Sequence, residues 1–253
     1  MSAETSPNQG RYLYAIVEGD SRQTDGLVGI AGADVYTISS GGVSAVVSDV
    51  LNRKIRPERR HLAAHQRVLK QLMTGSTPLP MSFGIIADGP DAIQRILSLN
   101  QEAFQEELER VQGKVEMGLH VTWDVPNIFD YFVNTHPALR SARDTYFGTP
   151  DREPTREEKI EVGRMFDRIL NQDREGHAED VVNVLSRHCV AIKRNKCRTE
   201  KDVMNLACLV AREAEARFEA GIMEAAGMFD NNFALDYNGP WAPHNFVEID
   251  LKY

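Results

Sequence analysis

Two histidines four residues apart are the first candidates for chemistry. His61 and His65 fall within a predicted helix, where this spacing places both side chains on one face. Zinc proteases use such a pair, but they need a glutamate directly after the first histidine and a third ligand. Leu62 follows His61 instead. We therefore predict no metal site and expect His65, which lies among apolar positions, to be a partly buried or surface histidine.

Three glycines after the first predicted strand could suggest a phosphate-binding loop. The spacing of Gly26, Gly29 and Gly32 fits neither the dinucleotide fingerprint nor the P-loop, which also needs a lysine followed by serine or threonine. No helix is predicted to begin directly after them. The interpretation is a mobile glycine loop, and no cofactor-binding residues are predicted.

Five cations cluster at a predicted turn between two strands. They are Lys193, Arg194, Lys196, Arg198 and Lys201. Nucleic acid could bind such a patch, and the RNA recognition motif has the element order predicted for this half of the chain. That module stacks bases on aromatic side chains of its central strands, whereas the predicted strand over residues 204–210 contains none. We therefore predict a solvated hairpin tip and no nucleic-acid binding.

No residue pattern indicates an enzyme. Cys189, Cys197 and Cys208 are odd in number and widely spaced, which predicts free thiols rather than a disulfide framework or a zinc site. A row of carboxylates along one predicted helix is typical of a solvated face; these are Glu102, Glu106, Glu107 and Glu109. No Ser/His/Asp or Cys/His order stands out, so we predict no catalytic residues.

The C-terminal segment is the most unusual part of the chain. It contains Gly239, Pro240, Trp241, Pro243 and Phe246 within eight residues. The prolines stiffen the backbone, the glycine permits a sharp turn, and the two aromatic residues are large apolar anchors. One interpretation is a tail pinned against its own domain, and the other is an aromatic docking surface. Rigid aromatic residues near a terminus commonly tie it down, so we expect Trp241 to be largely buried.

Composition limits the class of protein. The 253 residues suffice for one large domain or two small ones, and 42% hydrophobic with 26% charged residues is typical of a soluble globular protein. The net charge of −8 argues against non-specific binding to nucleic acid or to a lipid membrane. No apolar run approaches the ~20 residues that span a bilayer. The polar N-terminus predicts a cytoplasmic protein with a disordered leader over residues 1–10.

Residue periodicity predicts an N-terminal α+β domain over residues 11–112. Strands are predicted at 11–17, with both faces apolar, and at 34–39 and 43–50, joined by a glycine turn. Pro57 opens a helix whose apolar stripe includes Leu62. A short strand at 79–84 and a second helix over 91–111, capped by Asp91, complete this domain.

A second domain is predicted over residues 114–253, carrying the Gly-Pro-Trp tail. Its first strand, at 115–123, alternates and places Glu116 on a wet face. Thr155 and Glu158 form a capping box before a long helix interrupted near Gly176. Strands at 189–194 and 203–211, a helix at 213–226 and a last strand from 233 follow. The fold class is therefore α+β with two domains, the C-terminal one a modified ferredoxin-like β-α-β-β-α-β.

Four segments resemble those of a known family, in the same order. Residues 239–247 read GPWAPHNFV and resemble the C-terminal signature of the gas vesicle protein F/L family (GvpF/GvpL), with Ala242 and His244 in place of the commoner Pro and Tyr. Residues 12–17 (YLYAIV), 79–84 (LPMSFG) and 115–123 (VEMGLHVTW) resemble the other three. The resemblance covers nearly the whole chain, and the F type is favoured.

The resemblance implies a function that periodicity does not reach. It implies a non-enzymatic accessory protein of the gas vesicle, either a minor structural component or an assembly factor. Its partners would be the small, hydrophobic shell protein (GvpA) and other accessory proteins, and it would be made in the cytoplasm and act at the vesicle. A shell subunit with a large apolar face is prone to aggregate before assembly, and an acidic partner could shield that face. The alternatives are a ferredoxin-like nucleic-acid-binding or small-molecule-binding protein.

Overall fold

The computed structural model describes residues 9–19, 24–148 and 152–252. Helices and two separate β-sheets alternate along the chain, which confirms the predicted α+β class. The chain divides into two compact units: Met1–Glu116 together with Gly239–Tyr253, and Met117–Asn238. Among the described residues, no helix combines the length and the apolar composition that a bilayer crossing requires.

The first unit is built on an antiparallel sheet. Its strands are β1 (Gln9–Glu18), β2 (Val35–Ser40), β3 (Val43–Leu51), β4 (Leu79–Pro80) and β5 (Ile86–Ala87). They lie in the order β2-β3-β1-β4, and β5 also pairs with β1. The predicted β2–β3 hairpin is confirmed: Gly41 and Gly42 form its turn with φ of 61° and 85°, values that favour glycine.

Three helices cover this sheet: α1 (Arg59–Leu72), α2 (Pro90–Leu99) and α3 (Gln101–Val111). The prediction of a single helix over residues 91–111 is wrong. The chain leaves the helical conformation at Asn100, whose φ is −118° and whose side-chain amide donates to the Ile96 carbonyl. Asp91 lies in the first turn of α2 but makes no capping bond. Leu62, predicted in the apolar stripe of α1, is exposed.

Strand β1 is buried on both faces, as predicted. Leu13 and Ile16 join an apolar cluster with Phe104 and Leu108 of α3. Tyr14 is an extra residue in the register with β3, which shifts between Leu13 and Ala15 and forms a β-bulge. Its buried hydroxyl lies 2.8 Å from Ser48 Oγ and accepts a hydrogen bond from the Ile30 N–H, also at 2.8 Å. This hydroxyl therefore ties the segment containing Ile30 to the sheet.

The second unit contains the later elements. These are β6 (Lys114–Trp123), α4 (Ile128–Thr135), α5 (Pro137–Phe147), α6 (Arg156–Leu185), β7 (Ala191–Asn195), β8 (Asp202–Ala211), α7 (Glu215–Ala226) and β9 (Phe233–Trp241). Their sheet has the order β7-β8-β6-β9, which is compatible with the ferredoxin-like motif. The division between units falls after Glu116, within β6 and close to the predicted boundary.

The long helix α6 confirms one prediction and corrects another. The capping box is present, since Thr155 Oγ1 accepts from the Glu158 N–H and the Glu158 carboxylate accepts from the Thr155 N–H. The interruption predicted near Gly176 is wrong, because the helix continues for 30 residues. A glycine costs a helix only about 1 kcal/mol, and the buried side chains that follow it, Ala178 and Val181, hold the helix in place.

The ends of the chain also differ from the predicted domains. Strand β1 begins at Gln9, so residues 9 and 10 are not part of a leader. The rest of the predicted leader, residues 1–8, lies outside the described residues. Residues 239–253, predicted as the tail of the second domain, group with the first unit, because Val247, Ile249 and Leu251 pack against its core.

The Tyr14 hydroxyl provides a first test of the packing. Tyr14→Phe should destabilise the protein by about 1–3 kcal/mol, because it leaves the buried Ser48 hydroxyl and Ile30 N–H short of a partner. Chemical denaturation measures this change. Tyr146→Phe removes a hydroxyl that bonds only at the surface, to Glu161, and should leave the midpoint almost unchanged. Equal effects of the two substitutions would contradict the role given to Tyr14.

Candidate functional site in the C-terminal segment

The segment after Asn238 finishes strand β9 and belongs to the first unit. Gly239 has φ 126°, a conformation that residues with side chains rarely adopt, and its peptide bond to Pro240 is cis. Beyond Trp241, the His244 N–H donates to the Ala242 carbonyl at 2.7 Å. The Phe246 N–H donates to the Pro243 carbonyl at 3.1 Å. Of the five predicted signature residues, Gly239, Pro240 and Trp241 end strand β9, and Pro243 and Phe246 belong to the internally bonded turn that follows it.

A buried carboxylate holds this turn. Glu116 is only 6% exposed. Its Oε2 accepts from the Asn245 backbone N–H at 2.7 Å, and its Oε1 accepts from the Asn245 side-chain amide at 2.6 Å. The prediction that Glu116 lies on a wet face is therefore wrong, because residues far along the chain cover it. A buried carboxylate needs such donors, so the turn and the strand depend on each other.

Further contacts hold the rest of the tail. Arg110 donates to the Phe246 carbonyl and also bonds the Glu107 carboxylate. Buried Asn100 donates to the Lys252 carbonyl and accepts from the Lys252 N–H, both at 2.9 Å. Together with the apolar packing of residues 247–251, these bonds make the tail part of the first unit.

Trp241 is more exposed than expected. It is 41% exposed, so the prediction of a largely buried Trp241 is wrong. Ala242, Pro243 and Phe246 are buried and take the anchoring positions instead. Trp241 ends β9, which is an edge strand of its sheet. The tail is pinned, as the first interpretation required, yet its largest side chain remains accessible, as the second required.

The two histidines of α1 lie in different environments. His65 is buried, with Nδ1 2.9 Å from the Tyr12 hydroxyl, while His61 is half-buried and its Nδ1 lies 3.0 Å from the Arg56 carbonyl oxygen. Burial, with a further contribution from the nearby His244, lowers the pKa of His65 to about 4. Within the described ranges, no group of three or more His, Cys, Asp or Glu residues is placed to hold a metal ion.

The glycine loop is packed for a structural reason. A Cβ on Gly29 would lie 2.1 Å from the Tyr14 hydroxyl oxygen, so only glycine fits against that ring. The N–H groups of Gly29, Ile30 and Ala33 already donate to Ala33, Tyr14 and Ile30. These N–H groups are therefore engaged within the protein rather than directed at a phosphate.

The predicted cation cluster is partly engaged within the second unit. Arg194 pairs with Glu175 at 2.5 Å, and Lys201 donates to the Val125 carbonyl at 2.8 Å. A different basic region escaped the sequence analysis. Residues 53–60 contain five cations, a higher density than residues 193–201. Four of them, Arg53, Lys54, Arg56 and Arg60, border a cleft of about 990 Å³ beside α1. The run of arginines was the signal that could have identified it.

Comparison with known proteins decides the family. The model of the family described as "Gas vesicle synthesis protein GvpL/GvpF" matches residues 10–248. The chain belongs to this family. It is 24% identical over 245 residues to gas vesicle protein F of a Nostoc species, covering 96% of this chain and 99% of the relative. It is 27% identical over 240 residues to gas vesicle protein F of a Streptomyces species, covering 94% and 99%.

A solved structure supports the fold. The crystal structure of the gas vesicle protein GvpF from Anabaena sp. PCC7120 matches with a TM-score of 0.82 at 24% identity, covering 96% of this chain and 99% of that one. Both relatives above carry the F name, the type that the sequence favoured. Family membership gives the chain an accessory role in gas vesicles, which confirms the resemblance noted in the sequence.

Removing the hydrogen bond between the Asn245 side chain and Glu116 should cause a large loss of stability. Asn245→Ala removes a donor from a buried carboxylate and should destabilise the protein by about 2–4 kcal/mol. Lys252→Ala is the matched control in the same tail, because Lys252 bonds Asn100 through its backbone alone. Chemical denaturation of both variants measures the difference. If the tail does not contribute to stability, both variants should have the denaturation midpoint of the wild type.

His65 predicts a pH dependence of stability. In the unfolded chain a histidine has a pKa of about 6.5. In the folded protein the pKa of His65 is about 4, so its imidazole is protonated only at lower pH. Stability is therefore fully present above this window and falls by up to about 3 kcal/mol as the pH drops through it. His65→Gln, which keeps an acceptor for Tyr12, should reduce the slope of melting temperature against pH between these values, and the remaining slope includes His244, whose pKa burial also lowers. His61→Gln should keep the wild-type slope, and a flat wild-type profile would refute the assignment.

Proposed function

We propose that this chain is a non-enzymatic assembly factor that binds the hydrophobic shell protein, GvpA, while the gas vesicle nucleates and grows. The family supports the vesicle role. The further step to direct shell binding rests on one observation, which is the exposure of Trp241 within the family signature. Trp is enriched at the energetic centres of protein interfaces.

The surroundings of Trp241 support a docking role. The residues just after it, Ala242, Pro243 and Phe246, are buried, and Asn245 is bonded to Glu116. The backbone beside Trp241 is therefore held before a partner arrives, and little ordering entropy remains to be lost on binding. An aromatic side chain on a rigid segment offers an apolar contact to a subunit whose own apolar face must be shielded.

Binding of this kind depends chiefly on apolar burial and needs neither nucleotide nor metal. Capture of the shell protein should therefore persist at salt concentrations that screen exposed charges. Other accessory proteins would join the same assembly, and the chain would meet newly made shell protein in the cytoplasm. The role ends with the finished vesicle or continues within its wall, in either case without chemistry on the shell.

Trp241→Ala tests this proposal directly. It should abolish most capture of co-expressed shell protein in a pull-down at low and high salt with chelator present, while the protein remains folded. Trp241→Phe should retain capture. Phe147→Ala is the matched control, because Phe147 is an aromatic residue of similar exposure, 44%, outside the signature.

Phe246→Ala separates folding from binding. Phe246 is buried, and its loss should cost about 3–5 kcal/mol. Capture by this variant should decrease only in proportion to the folded fraction, which circular dichroism measures. If Trp241→Ala captures shell protein as well as the wild type per folded molecule, Trp241 is not the contact. If the wild-type chain captures none, and vesicles form normally after deletion of its gene, the assembly role fails.

A further inference from the structure

A cleft in the first unit carries a charge opposite to that of the whole chain. Its volume is about 990 Å³, and it lies between the segment 28–32, the end of β3 and helix α1. Among the described residues, five Lys and Arg side chains line it: Arg53, Lys54, Arg56, Arg60 and Arg67. The carboxylate in the lining, Glu58, lies 2.9 Å from Arg60. The cleft is thus strongly basic within a protein of net charge −8.

Most of these cations have no partner among the residues that the structure describes. Within the described ranges, the side chains of Arg53, Lys54, Arg56 and Arg67 make neither an ion pair nor a hydrogen bond. All four residues are exposed. Clustered guanidinium groups repel one another, and they bind carboxylates with well-matched geometry when a partner supplies them.

The cleft also has an apolar part. Val28 and Leu51 are 45% and 50% exposed, and both belong to its lining. Buried Ile30 and Ala64 continue this surface inward. A ligand with anionic groups alone would leave these side chains in water. The complementary ligand combines carboxylates with apolar groups.

The lining disfavours nucleic acid and free phosphate. Its described part contains no Phe, Tyr or Trp on which a base could stack. The N–H groups of Gly29 and Ile30, which would face a phosphate, already donate to Ala33 and to the Tyr14 hydroxyl. The net negative charge of the chain also repels a long polyanion, whereas a short acidic peptide meets mainly the local potential.

We propose that this cleft binds an acidic peptide segment of a protein partner, in which carboxylates alternate with apolar residues. This site is separate from the contact proposed for Trp241, and its binding depends on ion pairs as well as on apolar contact. Carboxylates of the segment pair with Arg53, Arg56 and Arg67, and its apolar side chains cover Val28 and Leu51. Binding at this site weakens as salt rises, whereas capture through Trp241 does not.

A labelled peptide tests the site on the full chain. The probe is a short fluorescein-labelled peptide of alternating Glu and Leu, and fluorescence anisotropy is measured at about 50 and about 300 mM salt. The double variant Arg53→Glu/Arg56→Glu should weaken binding at least about tenfold at low salt. Lys70→Glu/Arg95→Glu is the matched control, with the same charge change at exposed positions outside the cleft. It should bind within about twofold of the wild type.

Two further measurements test the chemistry of the ligand. A Gln/Leu peptide and a Glu/Ser peptide should each bind more weakly than Glu/Leu, and Leu51→Ser should remove the preference for Leu over Ser. The proposal is overturned if both double variants bind the Glu/Leu peptide with equal affinity, or if the affinity of the wild type is the same at both salt concentrations. It is also overturned if a short RNA displaces the peptide more effectively than unlabelled Glu/Leu peptide, or if the cleft mediates self-association. Arg53→Glu/Arg56→Glu should leave shell capture unchanged, so this site and the Trp241 contact can fail separately.

Discussion

The bond between Glu116 and Asn245 is the constraint on which the first unit depends. A carboxylate at 6% exposure is tolerable only when donors reach it, and Asn245, 129 positions later in the chain, supplies two of them. Buried Asn100 is likewise hydrogen-bonded by a distant residue, through the backbone N–H and carbonyl of Lys252. The core of this unit is therefore closed by the end of the chain, and the sheet, α3 and the tail must be formed together.

This closure explains why the signature segment divides its roles. Phe246 and Pro243 supply buried apolar surface, while Asn245 satisfies the buried carboxylate. These positions hold the turn, and Trp241, just before it, is accessible. Rigid backbone and an exposed aromatic side chain together make a contact that loses little entropy on binding.

The first unit offers two surfaces with opposite chemistry. The signature segment presents an aromatic group suited to an apolar partner. The cleft beside α1 presents arginines that have no partner in the described part of the chain, around exposed Val28 and Leu51. Apolar contact is insensitive to salt, and ion pairing is not. An accessory protein with both surfaces could hold a hydrophobic shell subunit and an acidic partner at once, and ionic strength would alter only the second contact.

Local pattern in the sequence determined most of the elements, the hairpin glycines, the capping box of α6, the α+β class and the family, because each is encoded over a few consecutive residues. It did not determine that α2 and α3 separate at Asn100 or that α6 continues through Gly176. The tertiary structure alone decided that Glu116 is buried, that residues 239–253 belong to the first unit and that Trp241 is exposed. It also brought Arg53 and Arg67 to one cleft beside residues 28–32. Each of these depends on contacts between distant segments, and a periodic pattern records which face is apolar but not which segment will cover it.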